Sequence, residues 1–530
     1  MATLLVVLSS AGRLALAAAP PVAAARLVQS FDGIGEGFAG PHGAATLRNP
    51  SDNTLAVGPD HVVQIVNTRM AIFSKQGRRY PVSGQALYGP APTSRVFKGF
   101  GGMCESTNNG DAVVRYDQLA GRWLIVMPIF RRAPARPDAP VAPRGGGPAF
   151  LSPPGRPGQP GAAVRLEPPD GPPEQPLPPG VTPPRTNAPA ETGPYSMCYA
   201  VSTGSDPFGP YYRYEFLREL FPDYPRPAVW PDGYYVPSST GDEVIQKHTC
   251  VADRTRMLKG EPATEQCFVV DDVNFLNNVD LDGQALPPPG APNIVLAAGG
   301  TQLKQVLGDR ALYAWQFHVD WRDPSRSALT GPQRIDVEPY EYLCGGQLTN
   351  CVPQPGTERR LDAQGDKLMA RVVWRRVDGH ESIVATHSVA TPTGGGVRWY
   401  EMRVARDRTL SVFQQGTWAP DGQYRWMPSP AIDRFGNIGI GYSYGGSPQF
   451  AGQRFVGRSP SDPPGTLGPT ETVLVEGEAA QVSTLRWEDY TQTAIDPVDD
   501  CTIWYVGDYL KAGGTNYSTR IGAFRLRGCR

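Results

Sequence analysis

Charge of one sign is what this 530-residue chain lacks most plainly: 50 Lys and Arg stand against 51 Asp and Glu, a net charge of −1. Without a basic excess there is no electrostatic footprint for nucleic acid, and that class of partner drops out of the reading. Long apolar runs are missing too. Beyond the N-terminal stretch, nothing approaches the roughly 18 uninterrupted apolar residues of a membrane-spanning helix, so no membrane span is expected. Helical patterning is nearly absent; only 215–221 and 253–258 could hold a turn or two. There is no Gly-x-Ser-x-Gly, no phosphate loop and no dinucleotide fingerprint, which disfavours serine hydrolases, kinases and nicotinamide enzymes. No Cys-x-x-Cys pair is present, and His380-Glu381 with His387 lacks the helical His-Glu-x-x-His spacing of a zinc site. Residues seven apart on a strand face opposite sides.

Glycine (60) and proline (56) are abundant instead, as suits many short strands joined by tight turns. One unit recurs. Thr54–Asn67 is a small-apolar pair, a turn of Gly, Pro and Asp, then an alternating strand, and it returns in degenerate form at 111–127, 227–236, 430–441 and 493–504. Repetition of a single hairpin over a long chain is the mark of radial or solenoidal architecture. With about 25 to 30 short strands, a single β-propeller of six or seven four-stranded blades is the expected fold, seven preferred. Two tandem sandwiches would need a dividing linker, which the chain does not show.

The N-terminus, with Leu4–Leu8 and the Ala-rich 15–25, reads as a signal peptide over 1–25. That leaves 26–530 as the propeller domain and places the protein outside the cytoplasm, secreted or periplasmic. Eight cysteines fit an oxidising compartment. Short spacing favours Cys344–Cys351 and Cys250–Cys267, and Cys501 with Cys529 could staple the last blade. The Pro- and Gly-rich stretch 131–193 is too poor in core-forming residues to fold and is expected to be a disordered loop inserted in one blade.

Inner strands of a propeller converge on its axis, so polar residues distant in sequence can meet there. The cluster that stands out lies between Arg371 and Tyr490. Arg398, Tyr400, Arg425, His380 and Glu381 are candidates for binding an anionic sugar, since guanidinium groups pair bidentately with carboxylate or sulfate. Tyr490, Glu401 and Asp489 are the catalytic candidates, a tyrosine beside a glutamate with a further carboxylate as acid. The bland alternative is that these groups are ion pairs of the scaffold and that Trp399, Trp426 and Trp487 pack between blades. Acidic loops at 271–283 and 496–500 could bind Ca²⁺ through hard oxygen ligands; otherwise no cofactor is expected, and the metal assignment is open.

Several stretches resemble a family of uncharacterised secreted bacterial β-propellers within the sialidase-like superfamily. They are Asp52–Pro59 with Val66-Asn67, Asp206–Tyr214, Phe221–Pro225, Trp230–Tyr235, His380-Glu381, Arg398–Glu401, Arg425–Met427 and Arg486–Tyr490. The chain departs from many sialidases in lacking the Ser-x-Asp-x-Gly-x-Thr-Trp box; Ala431–Ile438 is a distant echo. The resemblance implies the propeller fold; the residue cluster gives the expected function, a carbohydrate-active enzyme, glycosidase or lyase, acting on an anionic glycan at the axial pocket. The alternative is a non-catalytic, monomeric propeller that binds glycan or an extracellular protein.

Overall fold

The computed structural model describes residues 25–131, 194–218, 220–238, 246–271, 273, 275–300, 310–346 and 350–530. The expected signal peptide, through residue 24, and residues 132–193 of the Pro-rich stretch lie outside them. The chain is a β-propeller, with seven four-stranded blades among the described residues. Their inner strands are Thr54–Val57, Val113–Asp117, Ala228–Trp230, Asn277–Leu281, Val372–Val377, Tyr424–Ile432 and Gln492–Ile495. Each contacts its neighbours in a closed ring. Those of blades 4 and 5 also pair directly in parallel, from Val279 with Val372 to Leu281 with Trp374. Four strands per blade is an even number, so every inner strand runs in the same direction and all their N-terminal ends gather at one mouth.

The recurring sequence unit is the inner strand, first turn and second strand of blades 1, 2, 3, 6 and 7. Its turns are closed by aspartate side chains that take over backbone N–H groups the sheet cannot satisfy. Asp117 accepts from the N–H groups of Leu119 and Ala120, Asp433 from Phe435 and Asn437, and Asp496 from Val498. In blade 2, strands Arg122–Ile129 and Tyr195–Ser202 pair antiparallel from either side of the Pro-rich stretch. The expected turn at 215–221 is instead largely the end of the outer strand Tyr211–Arg218, because tyrosine and phenylalanine alternate there with polar groups and pair with blade 2. The one at 253–258 is real: helix Arg254–Met257 starts on Asp253, whose side chain accepts from the N–H of Arg256.

Apolar residues fill the seams between blades. Trp399, Trp426 and Trp487 are all buried there, so the packing reading of these tryptophans holds. Close approach is bought with glycine where the second strand of blade 6 meets blade 7: a Cβ on Gly441 would sit 2.4 Å from the Tyr505 ring. The ring closes by joining the chain's two ends, since Arg26–Asp32 is the outer strand of the blade formed by Gln492–Ile495, Ile503–Tyr509 and Ser518–Arg525.

Four disulfides account for all eight cysteines: Cys250–Cys267, Cys344–Cys351, Cys501–Cys529 and Cys104–Cys198. The first two are those that short spacing favours, and Cys501–Cys529 is the expected staple of the last blade. Cys501–Cys529 closes a separation of 28 residues around the ring-closing blade. Replacing both by serine removes a constraint on the unfolded chain worth about 2–4 kcal/mol, and a fall of that size in the free energy of denaturant unfolding is expected. An unchanged value would show that the closing strand alone holds the ring.

Candidate functional site

At the mouth where the inner strands begin, the residues just ahead of each strand meet. Blade 1 brings Asp52, blade 2 Asp111, blade 3 Asp223, Tyr224 and Arg226, blade 5 Asp366 and Lys367, and blade 7 Asp489 and Tyr490. The loops that deliver them are held in uncommon backbone conformations. Asp52, Tyr224, Gln364, Glu488 and Asp489 all have φ between 45° and 69°, a left-handed region that side-chain-bearing residues adopt rarely and at a cost. Each is held there by its surroundings. The N–H of Asp52 donates to the carbonyl of Glu488 (2.8 Å), and the Tyr224 hydroxyl donates to the carbonyl of Asp489 (2.8 Å).

Aromatic rings line one side. Tyr224 stacks on Tyr490, with ring centroids 4.4 Å apart and planes 16° apart, and meets Phe275 edge-on at 5.5 Å. Two cations lie over these rings. The Arg226 guanidinium is 4.5 Å from the Tyr224 centroid, and the Lys367 ammonium is 4.2 Å from that of Phe275. Both are otherwise engaged: Arg226 Nε and Nη2 donate to the carbonyl of Leu276 at 2.9 and 2.6 Å, and Lys367 pairs with Asp366 at 2.7 Å. Arg486 pairs with Asp489 and, at 3.3 Å, with Asp362.

Carboxyl groups line the other side. Asp111 hydrogen-bonds to both Asp52 and Asp223, and Asp52 Oδ2 accepts from Asn67 at 2.6 Å. Neither Asp52 nor Asp111 has an ion pair with a Lys or Arg among the described residues. Asp52 is fully buried, while Asp111 and Asp223 keep part of their surface. Burial holds the carboxyls of Asp52, Asp111 and Asp489 above the usual range, and the crowding of like charges adds to it. Burial and these same carboxylates also hold the Tyr490 phenol well above its ordinary value.

Three buried polar atoms in this mouth have no hydrogen-bond partner: Asp52 Oδ1, Tyr490 Oη and Arg226 Nη1. Each such vacancy costs about 1–3 kcal/mol in a protein interior. Such atoms occur elsewhere too, among them both ring nitrogens of His248, His387 Nδ1 and Trp426 Nε1; the three at the mouth belong to residues just ahead of inner strands.

The sequence candidates divide. Tyr490 and Asp489 are at the mouth. Arg398, Tyr400 and Glu401 lie on the third strand of blade 5, Gly395–Val404, with two strands between them and the axis. There Arg398 donates to Gln415 at 2.6 Å, Tyr400 bonds His387 at 2.9 Å, and Glu401 accepts from Ser382 at 3.0 Å and pairs with Arg403. His380 is exposed at the first turn of blade 5, and Glu381 pairs with Arg408 at 2.7 Å. Arg425 is fully buried, forked between Asp421 and Glu471. Strand number in the blade keeps Arg398, Tyr400 and Glu401 from the axis and places His380 and Glu381 on the second strand; Arg425 is on the inner strand of blade 6, but its guanidinium is taken up by Asp421 and Glu471. The acidic loops are committed as well: Asp280 and Asp282 to Arg371, Asp496 to Lys75, Asp499 to Arg525, Asp500 to Arg375. These five carboxylates are held by cations, while Asp271 of the first loop is exposed.

What the candidate list misses is Asp52, Asp111, Asp223, Tyr224, Arg226 and Lys367. A signal for them existed. Aligning the copies of the recurring unit places an acidic residue a few positions ahead of the inner strand in blades 1, 2, 3 and 7.

Buried acids also set the pH response. Burial pushes Asp508, just beneath the mouth, up to about 8, against the hydrogen bonds of Ser51 and Asn53. Between its unfolded value of about 3.9 and about 8, folded Asp508 keeps a proton that the unfolded chain has lost, so stability falls as pH rises through that window. Buried His248 and His387, pushed down to about 3, act oppositely, but only below about 6.5. The melting temperature is expected to fall from pH 6.5 to 8.5, and Asp508→Asn should flatten that slope. A wild-type melting temperature that stays level or rises over this range would show Asp508 to be ionised in the fold.

The fold is that of a propeller, and solved structures similar to it carry the same low sequence identity throughout. One is a protein of unknown function from Dyadobacter fermentans DSM 18053, 10% identical, covering 95% of this chain and 99% of that one, with a TM-score of 0.32. Two are NanB structures: the NanB sialidase of Streptococcus pneumoniae with a chlorobenzyl-ammonio-ethanesulfonate (9% identical, TM-score 0.34) and NanB plus Optactamide (8%, TM-score 0.38). Each covers 75% of this chain, which spans 66% of theirs. No family model matches the chain, and no curated protein does.

Proposed function

We propose that the axial mouth is a glycan site and that the protein is a carbohydrate-active enzyme, with the Asp52–Asp111 pair as the proton donor and acceptor. One observation carries this reading: three buried polar atoms without partners, on an acid, a phenol and a guanidinium, belong to residues that stand just ahead of the inner strands. A sugar offers hydroxyls that can donate to Asp52 and accept from Arg226, and a ring face that packs on tyrosine. Carboxyls held protonated by burial suit general-acid chemistry on a glycosidic oxygen. Asp489 is reserved for holding Arg486 and the Tyr490 loop, and the blade-5 and blade-6 candidates serve the scaffold. Four disulfides support export to an oxidising compartment, and among the described residues no helix is long and apolar enough to cross a membrane.

A second reading, a non-catalytic glycan-binding propeller, is favoured by the packed Tyr224, Phe275 and Tyr490, which fill the mouth as a binding platform would. Incubating the purified protein with a panel of oligosaccharides and assaying new reducing ends and unsaturated products separates the two. Product release supports the enzyme. Binding on a glycan array without turnover supports the platform, and neither would overturn both.

A further inference from the structure

On the face opposite the mouth, a cavity of about 590 Å³ opens in the seam between blades 7 and 1. Two turns of blade 1, at 59–60 and 75–78, and the first turn of blade 7 bound it. Small-molecule sites run from roughly 300 to 1,000 Å³, so the space suffices for one. Its inner wall is a buried ion pair, Lys75 with Asp496 at 2.6 Å. Asp496 also accepts from the Val498 backbone and the Trp504 indole, each at 3.0 Å, so this wall is fixed in advance of a ligand.

Every acid lining the cavity has a cation: Asp496 has Lys75, Asp499 has Arg525 at 3.3 Å, and Asp60 faces Arg78 at 3.8 Å. The cations are not used up in return. Arg525 gives Nε to the Thr502 hydroxyl at 2.9 Å and Nη2 to Asp499; among the described residues its Nη1 has no partner. Arg78 has a side chain 91% exposed, and 3.8 Å is beyond a hydrogen bond. Strand register adds a third guanidinium. Arg26, exposed at the start of the outer strand of blade 7, stands directly opposite Arg525. Both therefore leave the sheet on the face that carries Arg525 and Gln29 into the cavity lining. Like charges set opposite one another destabilise a strand pair, and among the described residues no carboxylate pairs with Arg26.

From the cavity and this arginine pair we infer a second ligand site, one that takes a small phosphate or sulfate monoester. Guanidinium groups fit such oxyanions through paired N–H donors, and an anion held by Arg26 and Arg525 offsets their repulsion across the strands. Arg78 adds charge from the blade 1 side. The body of the ligand covers Val498, an apolar side chain left exposed in the lining. A cationic ligand would meet only carboxylates already matched. The site is separate from the axial mouth and does not depend on what the mouth binds.

The test is calorimetric titration of the full chain at pH 7 and low salt with glucose 6-phosphate, glucose 6-sulfate, inorganic phosphate, inorganic sulfate and glucose. One ester or both should bind at least tenfold tighter than glucose and tighter than the matching inorganic ion, and the tighter ester tells phosphate from sulfate. Arg26→Gln and Arg78→Gln should each weaken that binding at least fivefold, while Asp111→Asn binds like wild type. Arg26→Glu should abolish it and, by giving Arg525 a carboxylate partner, keep or raise the melting temperature without ligand; this variant carries the comparison if another melts early. An inorganic ion that binds as tightly as its ester overturns the monoester assignment. Esters no tighter than glucose, or binding kept in both Arg26→Gln and Arg78→Gln, overturn the site itself. Binding lost in Asp111→Asn alone would assign the anion to the mouth and overturn it as well.

Discussion

Arg371→Leu is expected to cost the propeller about 3–5 kcal/mol, the scale for stranding a buried partner of an ion pair. Arg371 is 6% exposed, and its guanidinium holds Asp280 at 2.7 Å, Asp282 at 2.5 Å and the carbonyl of Thr493 at 3.2 Å. Those carboxylates reach onward. Asp280 accepts from the N–H of Val229 in blade 3 at 2.8 Å, and Asp282 from that of Ile432 in blade 6 at 3.0 Å. One cation thus ties five of the seven blades around the axis, and Arg115, 3.4 Å from Asp280, adds a sixth. Without it two carboxylates are left buried without their cation, and burial already raises the Asp282 carboxyl above its usual range. Denaturant unfolding monitored by tryptophan fluorescence would show the loss. Adding Asp280→Asn to the variant should recover part of it by removing one stranded charge. A loss below about 1 kcal/mol would mean that the channel is wet enough to hydrate both acids.

Asp111→Asn is expected to lower turnover at least a hundredfold on whichever glycan is cleaved, within the range that a positioned acid or base supplies. The substitution keeps the side chain's shape but removes a carboxyl proton that can be given or taken. Stability should not fall. A group that burial keeps protonated is closely mimicked by its amide, so the melting temperature at pH 7 to 8 should hold or rise. Loss of activity with loss of folding would assign Asp111 to the scaffold instead.

How much of this could be read from the chain depends on which physical signal each part leaves. Blades left a strong one. A hairpin of small apolar pair, Asp/Pro/Gly turn and alternating strand is dictated by local chemistry, so Thr54–Asn67 and its echoes marked five blades directly. Blades 4 and 5 escaped the repeat because 282–292 stretches the first turn of one and Arg375-Arg376 interrupts the pattern of the other. Two disulfides followed from short spacing and Cys501–Cys529 from its place in the last blade; Cys104 and Cys198, 94 residues apart, meet because the helix Gly102–Ser106 folds back on blade 2. The site left the weakest signal. Arg398 and Arg425 attract attention as charges among tryptophans, yet buried arginine in a propeller seam is satisfied by its own blade, as Asp421 and Glu471 show for Arg425. Asp52, Asp111 and Asp223 sit in short, unremarkable turns. Only the rule that all inner strands start at one mouth gathers them, and that rule belongs to topology, not to composition.

The central claim is that ligand binds where the inner strands begin and not among the arginines of blade 5. The most direct measurement is affinity for the best-binding glycan of an array, titrated into wild type, Asp111→Asn and Arg398→Ala, with melting temperatures recorded for each. The account predicts that Asp111→Asn loses at least tenfold in affinity with its melting temperature kept. Arg398→Ala should lose stability, since it empties the bonds to Gln415 and Thr417, yet bind like wild type at a temperature where it is folded. The opposite outcome, with binding lost in Arg398→Ala and retained in Asp111→Asn, would place the site in blade 5 and contradict the axial mouth.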